Sequence, residues 1–515
     1  MGALLSIVTS VVSIPTAEQQ HSTIHARQEE LLYGSLALVQ DAEPFTFEYA
    51  TLDPFSTNWI GLYPASGAGP MEQEYVSASS VWQHAPETEG TVQLSPETLQ
   101  PGEYQAYFLA RDGYRWLADP INVTLPSPPA ELKFPTETAT LHNGRQLEEY
   151  TADLGGLLLG KGDGSVTFEK IGGDLWVGVS ADGKLNGTPG IFAKEKSSVV
   201  VRATAENGST AMMSLSIPVR RVWQSLVSDL SVMTFNLWHG GSRVTNYHEK
   251  QLRLILDSGA DVIALQEATG NHASRLGKAL GWSHYQSSGS VGTISRYPIV
   301  EENGQISVSG GVRVNVNGKR RVSLGPTEIN VWSAHLGYTP YGPYDFCFDN
   351  MTKEKVVERE AESGRTPQTT AILDGIAPQL RNSRRIPLIL AGDLNAPSHL
   401  DWVPGLAEKN CGVGSFDWPT SILPTQRGLV DSFRIAHPDP VAVQATTWSP
   451  LFPRHNGDSG REEPQDRIDF VYHTESRLRV VDSKALVAGE PKPSPRRADN
   501  EWTSDHAAVL TQYSL

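Results

Sequence analysis

The sequence predicts a multidomain fold in which two all-β sandwiches precede an α/β domain, and three observations carry that prediction. The chain has 515 residues, more than one ordinary hydrophobic core organises. Up to about residue 222, apolar and polar residues alternate with a period near two, broken repeatedly by Gly, Pro, Ser and Asn, with no long helical stripe. From Leu230 onward the text changes to continuous apolar runs, as strands buried on both faces require, separated by helical stripes.

In chain order, residues 1–30 form a leading segment. Gly2 to Ile14 is moderately apolar and ends near Pro15, Thr16 and Ala17, which resembles a signal-peptide core and small-residue cleavage site without the usual basic residue in front. Gly2 with Ser6 also fits the loose myristoylation pattern. Residues 31–126 make the first sandwich, marked by NWIGLYP at Asn58 to Pro64 and by the alternating run from Gly102 to Ala118. This pair of segments resembles the immunoglobulin-like modules found in front of some phosphatases and other hydrolases. Pro126 to Ala130, PSPPA, is a stiff linker. Residues 131–222 make the second sandwich. Its run from Gly172 to Gly190, through a Gly-rich turn into Gly-Thr-Pro, is similar to the immunoglobulin-like modules of microbial surface proteins, and an Asn-Gly turn comes after it at Asn207. Neither module shows ligand spacing or an acid/base pair, so both read as spacers or adhesion modules. Trp59, Trp82 and Trp176 are the candidates for surface or carbohydrate contact, although a sandwich more often buries its Trp.

The third region, 230–515, places strands at the FNLW and DVIALQE runs around a helix carrying Leu252, Leu254, Ile255 and Leu256. A second helix is expected at His272 to Leu280, and a longer polar helix from about Lys353 to Leu380.

The formal charge of -16 argues against a general polyanion binder, yet acidic and basic residues nearly balance from Ser231 onward. That balance permits a phosphate-bearing substrate without advertising one. The two cysteines, Cys347 and Cys411, exclude a disulfide scaffold and leave their pairing open. Four Asn-x-Ser/Thr triplets, at Asn122, Asn186, Asn207 and Asn350, lean toward a secreted, extracellular protein, with a cytoplasmic one as the alternative. No apolar run is long enough for a transmembrane segment.

The chemistry is concentrated where apolar runs in this third region are interrupted by polar residues. VMTFNLW carries Asn236, VIALQEA Glu267, NVWSAHLG His335, LILAGDLNAP Asp393 and Asn395, RIDFVYH Asp469, and TSDHAAV Asp505 and His506. An unpaired carboxylate or amide in such a place costs several kcal/mol. Repeated placement therefore points to convergence on something charged, and a metal ion with a phosphate is the economical candidate.

Those motifs, in that order and across essentially all of residues 230–515, resemble the endonuclease/exonuclease/phosphatase superfamily, which includes deoxyribonucleases, abasic-site endonucleases, inositol polyphosphate phosphatases and neutral sphingomyelinases. The resemblance implies a four-layered α/β sandwich with the site at one edge of two packed sheets. It implies that Glu267 ligates Mg²⁺, or Mn²⁺ in its place, with Asn236 contributing to the metal shell or bonding the phosphate. Asp393 would activate water and Asn395 would donate to the transition state. Asp469 with His506 would stabilise negative charge on the phosphorane, Asp505 would assist the metal or brace the loop, and His335 would bond or protonate a phosphate oxygen. Arg296, in SRYP, reads as a structural brace. Arg365 and Gln368 on the polar helix, and Trp448, are candidates either for the substrate rim or for supporting positions behind the residues that touch substrate, whereas His239, His248 and His399 have no partner legible in the sequence.

The expected activity is metal-dependent hydrolysis of a phosphomonoester or phosphodiester on a small molecule, a lipid headgroup or a nucleic acid. DNase-like and sphingomyelinase-like activities are the alternatives within that class. The aromatic segment from Gly337 to Met351 is expected to decide among them, although its interrupting Pro, Gly and Asp residues disfavour deep membrane insertion. The reading from a different class is a surface-binding protein with an inactive catalytic domain.

Overall fold

A computed structural model describes residues 34–39, 42–43, 45–65, 69–96, 99, 101–125, 131–162, 164–319, 326–455, 460–475, 477–493 and 496–515. The signal-like segment and the Pro126 to Ala130 linker lie outside the described residues. The chain divides into two compact units, Met1–Pro128 and Pro129–Leu515.

In the first unit, alternation becomes two antiparallel sheets. One has three strands in the order Gly34–Leu38, Thr46–Thr51, Glu89–Gln93, and the other has four in the order Val81–His84, Trp59–Pro64, Gly102–Leu109, Ile121–Leu125. Phe47 and Tyr49 from one, and Ile60, Leu62, Ala106 and Phe108 from the other, fill a single core, as a β-sandwich requires. Trp59 is buried, whereas Trp82 is exposed.

The second unit begins with another pair of sheets. Val166–Gly173, Lys196–Ala205, Thr210–Arg220 and Thr138–Thr140 lie side by side, with the short Gly144–Arg145 also on Thr210–Arg220. Tyr150–Asp153, Lys184–Gly187 and Val177–Val179 form the smaller sheet. Trp176 is half-buried and donates its indole N–H to Ser197 Oγ at 2.8 Å, so it belongs to the packing. This module shares its core with the C-terminal region of the chain. Leu154, Leu157 and Leu158 pack in one cluster with Leu276, Ala279 and Leu280. A Cβ on Gly156 would lie 2.5 Å from Lys278 O, so only glycine allows that approach. Arg145, with no side-chain exposure, reaches across to Asn317 Oδ1 at 2.6 Å. Arg296 braces the same junction by donating to Thr140 O at 3.0 Å while lying 3.6 Å from Asp261.

The remainder is an α/β sandwich of two six-stranded sheets. The first runs Ser283–Gln286, Gly292–Ser295, Val262–Gln266, Asp229–Asn236, Ala508–Ser514, Arg479–Leu486, and the second Ile299–Ile306, Ser309–Asn315, Glu328–His335, Leu388–Asp393, Asp469–His473, Val430–Asp431. Both faces of the central strands are covered, which explains their continuous apolar spelling. Val232, Val262, Val331 and Ile389 pack between the sheets. Their neighbours Met233 and Ile263 face the helices Tyr247–Ser258 and His272–Leu280, while Trp332 and Leu390 face the helix Arg365–Gly375. The layers are therefore helix, sheet, sheet, helix.

The expected long helix from Lys353 is instead three, Lys353–Glu362, Arg365–Gly375 and Ala377–Arg381. Gly364, at φ 84°, breaks the first junction, and Pro378 opens the third segment.

Candidate active site

Strand register brings the polar interruptions to one end of both sheets. His335 ends its strand opposite Asp393, and Asp393 ends the next strand opposite Asp469, the first residue of an antiparallel neighbour. In the other sheet Asn236 ends a strand opposite Gln266, and Glu267 is the residue after it. Asp505 and His506 immediately precede Ala508–Ser514, which runs antiparallel to the Asn236 strand. Strand ends are where a buried sheet tolerates polar side chains, because the ladder there no longer demands apolar packing. Gly392 adds a local condition, since a Cβ on it would sit 2.0 Å from Ala334 O.

Asp393 lies at the centre. Its Oδ2 accepts from Asn236 Nδ2 at 3.0 Å, and stands 3.6 Å from His335 Nε2 and 3.7 Å from His506 Nε2. Its Oδ1 accepts from the Asn395 backbone N–H at 2.9 Å. His506 Nδ1 is 2.9 Å from Asp469 Oδ2, and both residues are buried. Burial works against a charged imidazole, but the Asp469 and Asp393 carboxylates outweigh it and hold His506 well above its ordinary range. Burial in turn pushes the Asp469 carboxyl up against the pull of His506. Ser504 Oγ donates to Asn236 O at 2.6 Å and accepts from His506 N–H at 3.0 Å, and Trp502 Nε1 donates to His506 O at 2.8 Å, so backbone and ring are pinned together.

The opposite side is looser. Glu267, at φ 51°, accepts from the His239 backbone N–H at 2.6 Å and lies 3.4 Å from Asn236 Nδ2. Among the described residues Asp505 Oδ1, like Asp469 Oδ1, is buried with no hydrogen-bond partner. Burial, with Glu267's charge adding to it, raises the Asp505 carboxyl to about 7. Two carboxylates that repel one another, one with an orphaned oxygen, fit a hard divalent cation, which takes oxygen donors and needs only one or two protein carboxylates. Asn236 turns its oxygen to the Trp238 N–H at 2.9 Å and its nitrogen toward Asp393 and Glu267. Of the two roles the resemblance gives it, this orientation favours hydrogen bonding over metal ligation. Asp393, Asp469 and His506 also offer atoms within 4.8 Å of one another. In that cluster His506 Nδ1 is already engaged by Asp469 Oδ2.

The residues frame a cavity of about 510 Å³, lined by Glu267, His335, Asp393, Asn395, Asp505 and His506 among others. Asn395, at φ 51°, donates one of its two side-chain N–H bonds to Leu336 O at 3.0 Å. Left-handed φ values at Trp238, His239, Glu267 and Asn395, all non-glycine, concentrate backbone strain around this cavity. Trp448 lines it too, its ring 5.0 Å from that of His506.

Of the two places left open for them, Arg365 and Gln368 take the supporting one. Arg365 and Gln368 do not line the cavity. Arg365 is fully buried against Glu360 and donates to Gly337 O at 3.1 Å and Pro340 O at 2.7 Å, while Gln368 Oε1 accepts from the Gly337 N–H at 2.9 Å. They pin the aromatic segment. That segment is further fixed by a Cys347–Cys411 disulfide and by Phe346, buried among Trp402, Phe416 and Trp418, so that Tyr338 is the side chain from it that lines the catalytic cavity. His239 and Ser290 carried no sequence signal. His239 nevertheless lines the cavity with Nδ1 3.5 Å from Glu267, and Ser290 Oγ lies 3.3 Å from His335 Nδ1. His248 pairs with Arg275 and His399 with Ser421, both away from the site.

Residues 233–506 match the profile of the Endonuclease/Exonuclease/phosphatase family. An uncharacterised protein of Caenorhabditis elegans, F14F9.5, is 32% identical over 303 residues, which is 56% of this chain and 93% of that protein. Among solved structures, truncated C. elegans TDP2 is similar at 14% identity and a TM-score of 0.36, over 56% of this chain and 98% of the other. An AP endonuclease from Archaeoglobus fulgidus is similar at 16% identity and 0.33, over 56% and 100%. The Neisseria 3′ phosphatase NExo bound to a product DNA hairpin gives 16% and 0.35, over 56% and 100%. At those scores the structural likenesses carry no argument of their own. The profile match does, and this chain belongs to the endonuclease/exonuclease/phosphatase family.

Proposed function

We propose that this protein is a secreted, Mg²⁺-dependent phosphoesterase that hydrolyses a phosphomonoester or phosphodiester by in-line attack of water activated by Asp393. Family membership supports phosphoester hydrolysis in general. The observation that carries the residue assignment is the position of Asp393, buried between two imidazoles at 3.6 and 3.7 Å, with its own hydrogen bonds holding it in place. Glu267 and Asp505 hold the metal, which when bound polarises the phosphoryl oxygens and offsets their charge. Asp393 orients the attacking water and takes its proton. His506, kept cationic by Asp469, stabilises the charge that grows on phosphorus, Asn395 donates to its oxygens, and Asn236 holds Asp393 in place through its side-chain N–H. His335, oriented by Ser290, serves the leaving oxygen.

The two sandwiches are immunoglobulin-like spacers in this reading, with Trp82 the remaining candidate for surface or carbohydrate contact. Secretion is supported by the disulfide and by the exposure of all four Asn-x-Ser/Thr asparagines. Among the described residues no helix is long and apolar enough to cross a membrane. Purified full-length protein tested with Mg²⁺, with Mn²⁺ and with EDTA against phosphomonoesters, phosphodiesters, plasmid DNA and sphingomyelin vesicles should hydrolyse at least one class, and EDTA should stop it. Plasmid nicking and choline-phosphate release distinguish the DNase-like and sphingomyelinase-like alternatives. Metal-dependent binding without hydrolysis in any arm would instead favour the surface-binding alternative.

A further inference from the structure

Beside the catalytic cavity lies a second recess of about 310 Å³, and Trp238, Trp448 and Asp505 line both. Its other walls bring together Arg243, Arg497, Tyr344 and Phe452. Arg243 and Arg497 come from loops far apart in sequence that are tied to each other. Thr245 donates both its backbone N–H, at 2.8 Å, and its hydroxyl, at 2.7 Å, to Ala498 O, and Lys250 Nζ donates to Asn500 O at 2.8 Å. The Arg497 guanidinium lies 5.6 Å from the centre of the Trp238 ring. Among the described residues neither arginine has a carboxylate partner, which sets them apart from Arg365, Arg434 and Arg467 in the same domain.

The recess also holds Glu463, whose charge is already engaged. Its Oε1 accepts from the Tyr344 hydroxyl at 2.5 Å and from Trp448 Nε1 at 2.7 Å, and Oε2 lies 3.1 Å from His455 Nδ1. Its acceptors are therefore turned into the wall. Apart from Asp505, which the phosphoesterase reading assigns to the metal, what remains open to a ligand is two guanidiniums over an aromatic floor, continuous with the cavity proposed to take a phosphate. Guanidinium forks match the oxygens of a phosphate and are less tightly hydrated than an ammonium, so they suit a partly enclosed recess.

Resting on the phosphoesterase reading, we infer that this recess is a second phosphate subsite, in which Arg243 and Arg497 select substrates that carry another phosphate beside the scissile one. The carbon framework between the two phosphates would cross the wall formed by Trp238 and Trp448.

Binding tests this without requiring turnover. Full-length Asp393→Asn protein with saturating Mg²⁺ is titrated calorimetrically with α,ω-alkane bisphosphates of two to six carbons and with the matching alkyl monophosphates. At least one bisphosphate should bind about 10- to 100-fold more tightly than its monophosphate, as charge-assisted hydrogen bonds to phosphate would give. Adding Arg243→Ala with Arg497→Ala should reduce that advantage to under about 3-fold while monophosphate binding holds, and the paired Lys replacements should keep part of it. Equal affinity for mono- and bisphosphates at every spacer, or an equal loss for both in the Ala variant, overturns the subsite. If the bisphosphate preference holds but wild-type protein hydrolyses no ester, the catalytic reading fails and the subsite stands. Hydrolysis without any bisphosphate preference removes the subsite alone.

Discussion

The two sides of the active site are built from the same residue types and behave differently. On one side Asp469, His506 and Asp393 are buried, with His506 Nδ1 2.9 Å from Asp469 Oδ2 and Nε2 3.7 Å from Asp393 Oδ2, and with His506 N–H and Asn236 O both held by Ser504. On the other, Glu267 is half-buried and Asp505 keeps an oxygen without a partner. In the first arrangement the His506 imidazole lies between two carboxylates and is drawn toward its charged form, while Asp469 Oδ1, like Asp505 Oδ1, is buried with no hydrogen-bond partner among the described residues. In the second, the charges of Glu267 and Asp505 repel one another, a repulsion that the proposed divalent cation would offset. Polar groups that satisfy one another can be buried deeply and held rigidly, whereas a site that must receive an ion keeps its charges in conflict until the ion arrives.

The sharpest way to break this comparison is Asp393→Asn, which keeps the acceptor for the Asn395 N–H and removes the base. We expect turnover to fall about 10²- to 10⁴-fold with the melting temperature shifted by only a few degrees. A fall of tens of degrees would place Asp393 in the structural frame instead. Glu267→Gln acts on the second side and should weaken Mg²⁺ binding by about 10- to 100-fold, a loss that higher metal concentration largely restores. A rate that cannot be recovered at any metal concentration would show that Glu267 does more than hold the ion.

The smallest expected effect is on stability against pH. His506 has a folded value above its unfolded one, so the pair with Asp469 contributes stability that is fully present below the ordinary imidazole value near 6.5. That contribution is lost as pH rises through the raised folded value. Denaturant titrations from pH 6 to pH 10 should therefore show wild type losing more stability on the alkaline side than His506→Gln. Parallel curves would mean that the imidazole is neutral in the folded protein.

Much of this was legible in the chain because it depends on local pattern. The helix His272–Leu280 arises from its apolar stripe, and the strands ending at Asn236, His335 and Asp393 arise from apolar runs that stop at a polar residue. The roles of His239 and Ser290 were not legible, since each stands in a loop with no periodic context and acquires its neighbour through folding. For Arg365 the sequence left rim and supporting position open, and the choice became visible only with Glu360 and the carbonyls of Gly337 and Pro340 around it.

By itself the sequence determined which residue types arrive at the strand ends and in what order, because apolar periodicity and its interruptions are properties of the chain. Only the tertiary structure decided the rest. Register between strands set His335, Asp393 and Asp469 abreast, packing enclosed His506 among carboxylates, and the Thr245 bonds to Ala498 brought Arg243 and Arg497, far apart in sequence, to the walls of one recess. Distances between remote segments and the burial that sets their charge state exist only once the two sheets have closed on each other.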